Sequence, residues 1–309
     1  MTESDQSLSA LAPLMHDVLR QTYPAATLYV VATPIGNAAD ISLRALHILA
    51  TVDAIACEDT RNTAHLLSRY GLSKPLIAAH QHNEREIAEK LIARLQAGER
   101  IALVSDAGTP AVSDPGARIV DAVRHAGLRV VPLPGASAVV TALSAAGLTD
   151  DAFHFIGFLP SKAGQRDTVL ASLKRMRATL VFYEAPHRIA ETVTALAAAF
   201  EPSRQIVLAR ELTKLFEETH RCALSDAAAW IAADANRQKG EFVILLEGAP
   251  DSLDAEAQEA ERVLRILLQE CPVKQAAALA AQITGRKKNA LYERALQLKS
   301  STTDEANED

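Results

Sequence analysis

From Leu28 to Leu133 the chain alternates short β-rich runs with helical patterns, and nothing else in it limits the fold so sharply. LYVVA, DAIAC, LIAA, IALV and RVVPL are the β-rich runs. Between them lie stretches such as ISLRALHILA, NEREIAEKLIARLQA and GARIVDAVRHAG, the last two followed by or ending in Ala-Gly, a helix C-cap signal. Such alternation needs right-handed crossovers and predicts a mainly parallel sheet. Aromatics make up only 4% of a chain that is 49% hydrophobic, so Ala, Leu and Val must fill a layered core covered on both faces. At 309 residues there is room for two domains, at about 100–200 residues each. The pattern restarts around Gly147–Asp151 with FHFIGF, TLVFYE, QIVLAREL and FVILLEG. The expected plan is an N-terminal α/β domain over 28–149, a second α/β domain with a mixed sheet over 150–250, and a helical tail over 251–300. Helices are expected at 255–270 and 273–299, broken at Cys271-Pro272 and Gly285. Residues 1–27, acidic where a signal peptide needs positive charge, and the acidic 301–309 are expected to be disordered extensions.

Strand-to-helix loops of a parallel sheet emerge on one edge, where ligands bind. Here they are TPIGN (33–37), EDTR (58–61), HQHNE (80–84), SDAGTP (105–110) and PGASA (134–138). No G-x-G-x-x-G, P-loop or G-x-S-x-G pattern occurs, which disfavours dinucleotides, P-loop chemistry and the common hydrolase elbow. In SDAGTP, Gly108 permits positive φ or close backbone approach, Pro110 stiffens the loop, and Asp106 and Thr109 offer hydrogen-bonding groups to a ribose or an amino group. A tight turn capping the next helix accounts for the same residues. EDTR presents Glu58, Asp59 and Arg61; Asp59 or Thr60 suits an N-cap, which leaves Glu58 and Arg61 to be explained. Asn83 suits an N-cap completed by Glu86. His80 and His82 lack a third ligand, so no metal is expected. In the second half, Tyr183 and Glu184 are expected to face a cleft between the domains, with Arg188 and its helix N-terminus toward an anion. Arg210, Glu211 and Lys214 follow another strand and suit surface ion pairs.

The net charge of −6 does not advertise a polyanion partner. The tail does: from Lys274 to Lys299 it carries six basic residues against Glu293 alone, and a local basic surface can meet phosphates. Cys57, Cys222 and Cys271 are scattered, which fits a reducing cytosol rather than disulfides or zinc. No apolar run approaches the roughly 20 residues of a bilayer span, so no membrane association is expected.

ATPIGNAADISLRAL, EDTRNT, SDAGTPAVSDPG, PLPGASA, FIGFLP, FYEAPHRI and GEFVILLEG occur in order between Leu28 and Gly248. Together they resemble the tetrapyrrole methylase family, whose members use S-adenosylmethionine (SAM), and within it the branch that acts on ribosomal RNA. The resemblance implies two α/β domains with SAM in the cleft between them, a cytoplasmic homodimer, no metal, and 2′-O-methylation of a cytidine in 16S ribosomal RNA of the small subunit. It also implies SAM contacts at Pro34, Gly36, Asp106, Gly108, Thr109, Pro110, Val112, Ser137, Ala138, Tyr183 and Leu212. Corrin-pathway relatives carry Gly-Asp-Pro where this chain has Gly108-Thr109-Pro110, and a Gly-rich first loop where it has TPIGN. Both departures argue against a corrinoid substrate. A ribose hydroxyl needs a base or a cation beside it; Glu58, Asp59 and His80 are the base candidates, and Arg61 is the partner for phosphate or alkoxide. In the tail, Arg286, Lys287 and Lys288 lie at the joint of two helices resembling a helix-turn-helix and are expected to contact RNA phosphates. Two rival functions stay open: a tetrapyrrole or other small-molecule methyltransferase, and a non-catalytic RNA-binding assembly factor that retains a SAM pocket.

Overall fold

The computed structural model describes residues 3–250 and 253–305. They fall into two units, 1–248 and 249–309. In the first unit, β1 (Thr27–Val31), β2 (Ala54–Cys57), β3 (Leu76–Ala78), β4 (Arg100–Val104) and β5 (Arg129–Leu133) form a sheet of order β3-β2-β4-β1-β5. Every pairing in it is parallel. Helices α2 (Leu43–Thr51), α3 (Thr60–Arg69), α4 (Glu84–Gln96) and α5 (Ala117–His125) are its crossovers. Side chains alternate across the sheet: Tyr29, Val31, Ile48, Ile55 and Leu67 pack on one face, and Leu28, Leu91, Ile101, Leu103 and Ile119 on the other. With both faces covered, each strand reads as a continuous apolar run. Burying one such Leu or Ile fully contributes about 1.5–3 kcal/mol.

The second sheet comprises β6 (Phe153–Phe158), β7 (Thr179–Glu184), β8 (Gln205–Arg210), β9 (Glu218–Ala223) and β10 (Phe242–Leu246), in the order β6-β7-β10-β8-β9. It is mixed, since β6 and β7 run parallel while β10 is antiparallel to both β7 and β8, and β8 to β9. One face buries Leu180, Phe182, Ile206 and Ile244 beneath α7 (Ala163–Leu173), α8 (Ile189–Ala199) and α9 (Leu224–Ala232). The other buries Val181, Val207, Val243 and Leu245 against α6 (Ala138–Ala146), which leaves the end of β5. Helix α6 therefore carries the binding edge of the first sheet onto the face of the second.

Part of the chain expected to be disordered is helical. Helix α1 spans Glu3–Arg20, with Pro13 inside it. Val18 is buried, the Tyr23 hydroxyl donates to the Val18 carbonyl, and the Tyr23 ring lies 4.7 Å from that of His47. Among the described side chains, Val18 and Tyr23 tie the segment to the body of the unit.

The second unit is built from α10 (Leu253–Glu270), α11 (Val273–Thr284) and α12 (Lys288–Glu305) around a core of Ala260, Leu264, Ala276, Ala280, Leu291 and Ala295. Gly285, at φ 70°, ends α11 in the left-handed conformation, where an L side chain is disfavoured. Helix α12 runs to Glu305, past the boundary expected at residue 300; residues 306–309 lie outside those described. No described helix is long and apolar enough to cross a membrane.

Candidate active site

Three of the loops at the C-terminal edge of the first sheet are stitched into one surface. The Thr33 and Gly108 backbones exchange hydrogen bonds of 2.8 and 3.0 Å, and the Thr33 hydroxyl donates to the Ser105 carbonyl. The Thr109 hydroxyl donates to the Ala136 carbonyl at 3.1 Å, tying SDAGTP to PGASA. Gly108 holds φ +79°, which explains the glycine. Gly36 faces the other half of the unit, where an added Cβ would lie 2.5 Å from Lys214 Cγ and 2.8 Å from Thr213 Oγ1. The TPIGN loop therefore closes directly on the loop after β8, and the Asn37 amide donates to the Thr213 hydroxyl.

Between these surfaces lies a cavity of about 300 Å³, at the lower end of the range for small-ligand sites. Gly108, Thr109, Val112, Ser137 and Ala138 line it from the first sheet, and Tyr183 and Leu212 from the second. The other four residues named for the cofactor do not form its wall. Pro34 and Pro110 are buried, Gly36 packs on Lys214, and Asp106 turns to a neighbouring acidic cluster. Four non-glycine residues with left-handed backbone flank the cavity: Ala111 (φ 67°) and Ser113 (φ 65°) on one side, Glu211 (φ 51°) and Thr213 (φ 67°) on the other. Strain of this kind concentrates at ligand sites.

In the acidic cluster Asp106 accepts from the Asp59 amide at 3.2 Å and from Asn62 Nδ2 at 2.7 Å. Asp59 caps α3 through the Arg61 amide and pairs with the Arg61 guanidinium at 2.7 Å. The Arg61 contacts hold its carboxyl down at about 2. Glu58 moves the other way: burial raises it first, then the charges of Asp106, Asp114 and Asp59, against a smaller opposing effect of His80. Burial likewise raises Asp114, a Ser105 hydrogen bond opposes the rise, and Asp106 adds to it. The side chain of Arg61 is 89% exposed.

Several expectations change. Asn83 occupies the N-cap of α4 as expected, but its side chain makes no cap bond; it accepts from the His80 amide and donates to the Ala78 carbonyl, bracing the loop instead. Its neighbour Glu84 is buried and accepts from the Gly116 amide at the start of α5. Arg188 is not free for an anion, since it donates to the Leu159 carbonyl at 2.6 Å and pairs with Glu184. Glu184 itself accepts from the Ala185 amide and the Thr192 hydroxyl, so the turn before α8 already holds the protein's own carboxylate. Arg210 pairs with Glu218, and Lys214 with Glu211 and Glu241 at 2.8 Å each. Among the described residues no cluster of His, Cys, Asp or Glu is arranged to hold a metal. Cavity residues outside the sequence-based cofactor list include Asp114, Phe158, Glu211, Lys214 and Glu241. For Asp114 a signal was present, because SDAGTPAVSDPG contains Ser-Asp twice and only the first was read as a site.

In the second unit Lys287 and Lys288 are exposed at the α11–α12 joint, and neither they nor Arg286 enters an ion pair among the described residues. Arg294 does, bonding Glu261 at 2.6 Å.

Comparison with known proteins sets this geometry among relatives. The family model for tetrapyrrole (corrin/porphyrin) methylases matches residues 27–228, and one for an RsmI C-terminal HTH domain matches 254–299. A Pseudomonas aeruginosa protein named ribosomal RNA small subunit methyltransferase I is 51% identical over 275 residues, 88% of this chain and 98% of that protein. One of the same name from Escherichia coli O157:H7 is 50% identical over 87% of this chain and 94% of its own length. Among solved structures, uroporphyrin-III C-methyltransferase from Thermus thermophilus matches with TM-score 0.52 at 20% identity, over 72% of this chain and 94% of that one. Cobalt precorrin-4 methyltransferase matches with TM-score 0.53 at 17% identity, over 72% and 95%. At those identities the structures share the fold alone.

Proposed function

The chain belongs to the tetrapyrrole methylase family, and from that premise we propose that it is a SAM-dependent methyltransferase that 2′-O-methylates the ribose of a cytidine in 16S ribosomal RNA. The observation that carries the proposal is likeness over nearly the whole chain, helical unit included, to relatives named for the small-subunit ribosomal RNA. On this reading the protein works in the cytoplasm as a homodimer, with the small ribosomal subunit or its RNA as partner. A tetrapyrrole enzyme has no evident need of the exposed Lys287 and Lys288.

The cavity residues fit SAM. Gly108 gives close backbone approach without a Cβ. At the start of α6, Ser137 makes no side-chain cap bond and lines the cavity with Ala138. In the first turn of that helix the Val139 amide meets the Tyr183 hydroxyl, and the helix N-terminus beside it suits the carboxylate of the cosubstrate. Tyr183, braced edge-on by Phe155 at 5.0 Å and Phe158 at 5.7 Å, supplies an aromatic wall. When bound, SAM supplies an electrophilic methyl group on sulfur. The protein's task is then to hold the ribose oxygen in line with the methyl carbon and the sulfur, and positioning alone removes several kcal/mol of barrier. It must also receive the hydroxyl proton.

Transfer of tritiated methyl from SAM should be assayed on isolated small subunits, on naked 16S RNA and on uroporphyrinogen. Label on either ribosomal substrate and none on the tetrapyrrole is the expected result. Label on uroporphyrinogen alone, or SAM binding with no transfer at all, would refute the proposal in favour of the small-molecule enzyme or the assembly factor.

A further inference from the structure

We infer that Asp114 is the general base that takes the proton from the ribose 2′-hydroxyl, an assignment that rests on the function proposed above. Asp59 is committed to the N-terminus of α3 and to Arg61, and its carboxyl, held at about 2, is a poor proton acceptor. Both oxygens of Asp106 are occupied, by the Asp59 amide and by Asn62. On the cavity wall Glu184 is filled by Ala185, Thr192 and Arg188, while Glu211 and Glu241 share Lys214. Glu58 belongs to the acidic cluster but not to the wall. Asp114 alone combines a place on the wall with no ion pair among the described residues.

Its surroundings suit the task. Asp114 sits one residue beyond left-handed Ser113 and two before Gly116, whose amide is pinned by buried Glu84. That bond ties the loop to α4. The groups that face it are Ser105 and Asp106 from the loop after β4, Glu58 from the loop after β2, and Tyr183 from β7. None of these is cationic; His80 acts on Glu58 behind it. Burial and negative neighbours make the carboxylate more basic than an ordinary Asp, toward the range a base needs near neutral pH. The step balances. As the oxygen–carbon bond forms, the hydroxyl proton passes to Asp114, the carbon–sulfur bond breaks, and its electron pair stays on sulfur. A sulfonium and a carboxylate become a thioether and a carboxylic acid, which returns its proton to solvent.

The test is Asp114→Asn, with Asp114→Glu beside it, in single-turnover methyl transfer to small subunits across pH, together with calorimetric SAM affinity. We expect the wild type to lose rate toward acid, and Asp114→Asn to slow the chemical step by about 10²–10⁴-fold, to leave SAM affinity within about twofold, and to abolish that acid limb. Asp114→Glu should restore part of the rate with a displaced acid limb. A rate within about threefold of wild type, or an acid limb that persists in the Asn variant, overturns the assignment. So does a loss of SAM affinity large enough to account for the rate, which would make Asp114 a cosubstrate ligand. Should either variant fail to fold, the pH-dependent carboxyl signal of 13C-labelled Asp114 in the wild type decides: titration at or below an ordinary Asp value overturns the assignment. If the wild type methylates no ribosomal substrate, the function proposed above falls and takes this assignment with it, whereas a failing variant beside an active wild type bears on Asp114 only.

Discussion

Replacing Gly36 by Ala probes the closure of the cleft. The added Cβ would sit 2.5 Å from Lys214 Cγ, 2.8 Å from Thr213 Oγ1 and 3.1 Å from the Leu212 carbonyl. Gly36 does not lie in the left-handed region, so the cost is one of space rather than of backbone conformation. Two of the three obstacles cannot swing away cheaply: one is backbone, and the other is the stem of a lysine whose ammonium bridges Glu211 and Glu241. Overpacking costs about 1–3 kcal/mol. Loss of the two part-exposed ion pairs adds little, at roughly 0–1 kcal/mol each. At about 2–4 °C per kcal/mol for a unit of this size, the midpoint of thermal unfolding should drop by roughly 3–10 °C. SAM affinity should drop as well, because Leu212 and Lys214 line the cavity. Adding Lys214→Ala removes the nearest atom, so the double variant should recover part of the loss, with a coupling energy of about 0.5–3 kcal/mol. Thermal unfolding and SAM titration of the four proteins make up the assay. A Gly36→Ala protein with unchanged midpoint and affinity would show that the two loops do not meet as described.

Other expectations follow from the same geometry. Gly108→Val places a branched side chain at φ +79° on the cavity wall; the fold should persist and SAM affinity fall by calorimetry. Changing Arg286, Lys287 and Lys288 together to Ala should weaken RNA binding and flatten its salt dependence by about two to three units of slope, with SAM affinity untouched. An unchanged slope in salt titrations would point to another role for the tail. Glu58 and Asp114 are raised in the folded protein, so the unfolded chain releases their protons at lower pH. Between the ordinary carboxylate range and the raised values, stability should fall as pH rises, and Glu58→Gln and Asp114→Asn should each flatten that slope in urea unfolding. Asp59 has the opposite sign: its contribution is present above the ordinary Asp value and is lost as pH falls through about 2. Asp59→Asn should accordingly destabilise at neutral pH.

The parallel sheet was legible because its central strands β1, β2 and β4 are buried on both faces and each crossover helix shows its own periodicity. Strand order was not, since the pairing of β4 between β1 and β2 depends on contacts far apart in sequence. Loops such as SDAGTP were expected at the edge that binds a ligand, and Gly108 and Thr109 of that loop line the cavity. What could not be read was which carboxylate is left over. Asp59 was named as a base candidate, but its bond to Arg61 appears only in the fold, and Asp114 was not singled out until the cavity placed it on the wall. Helix α1 was missed because its tie to the body of the unit rests on packing, Val18 and the neighbouring Tyr23 among the described side chains, rather than on a repeating pattern. Asn83 fits a capping rule that the fold overrides by using it inside its own loop.

The central claim is that the cleft at the strand ends delivers a SAM methyl group to a ribose hydroxyl. Small ribosomal subunits should be treated with the protein and SAM carrying a deuterated methyl group, the 16S RNA digested to nucleosides, and the label located by mass spectrometry. The account predicts the label on the ribose of cytidine, at the 2′-oxygen. Label on a base carbon or nitrogen, or none on the RNA while SAM is consumed, would contradict it.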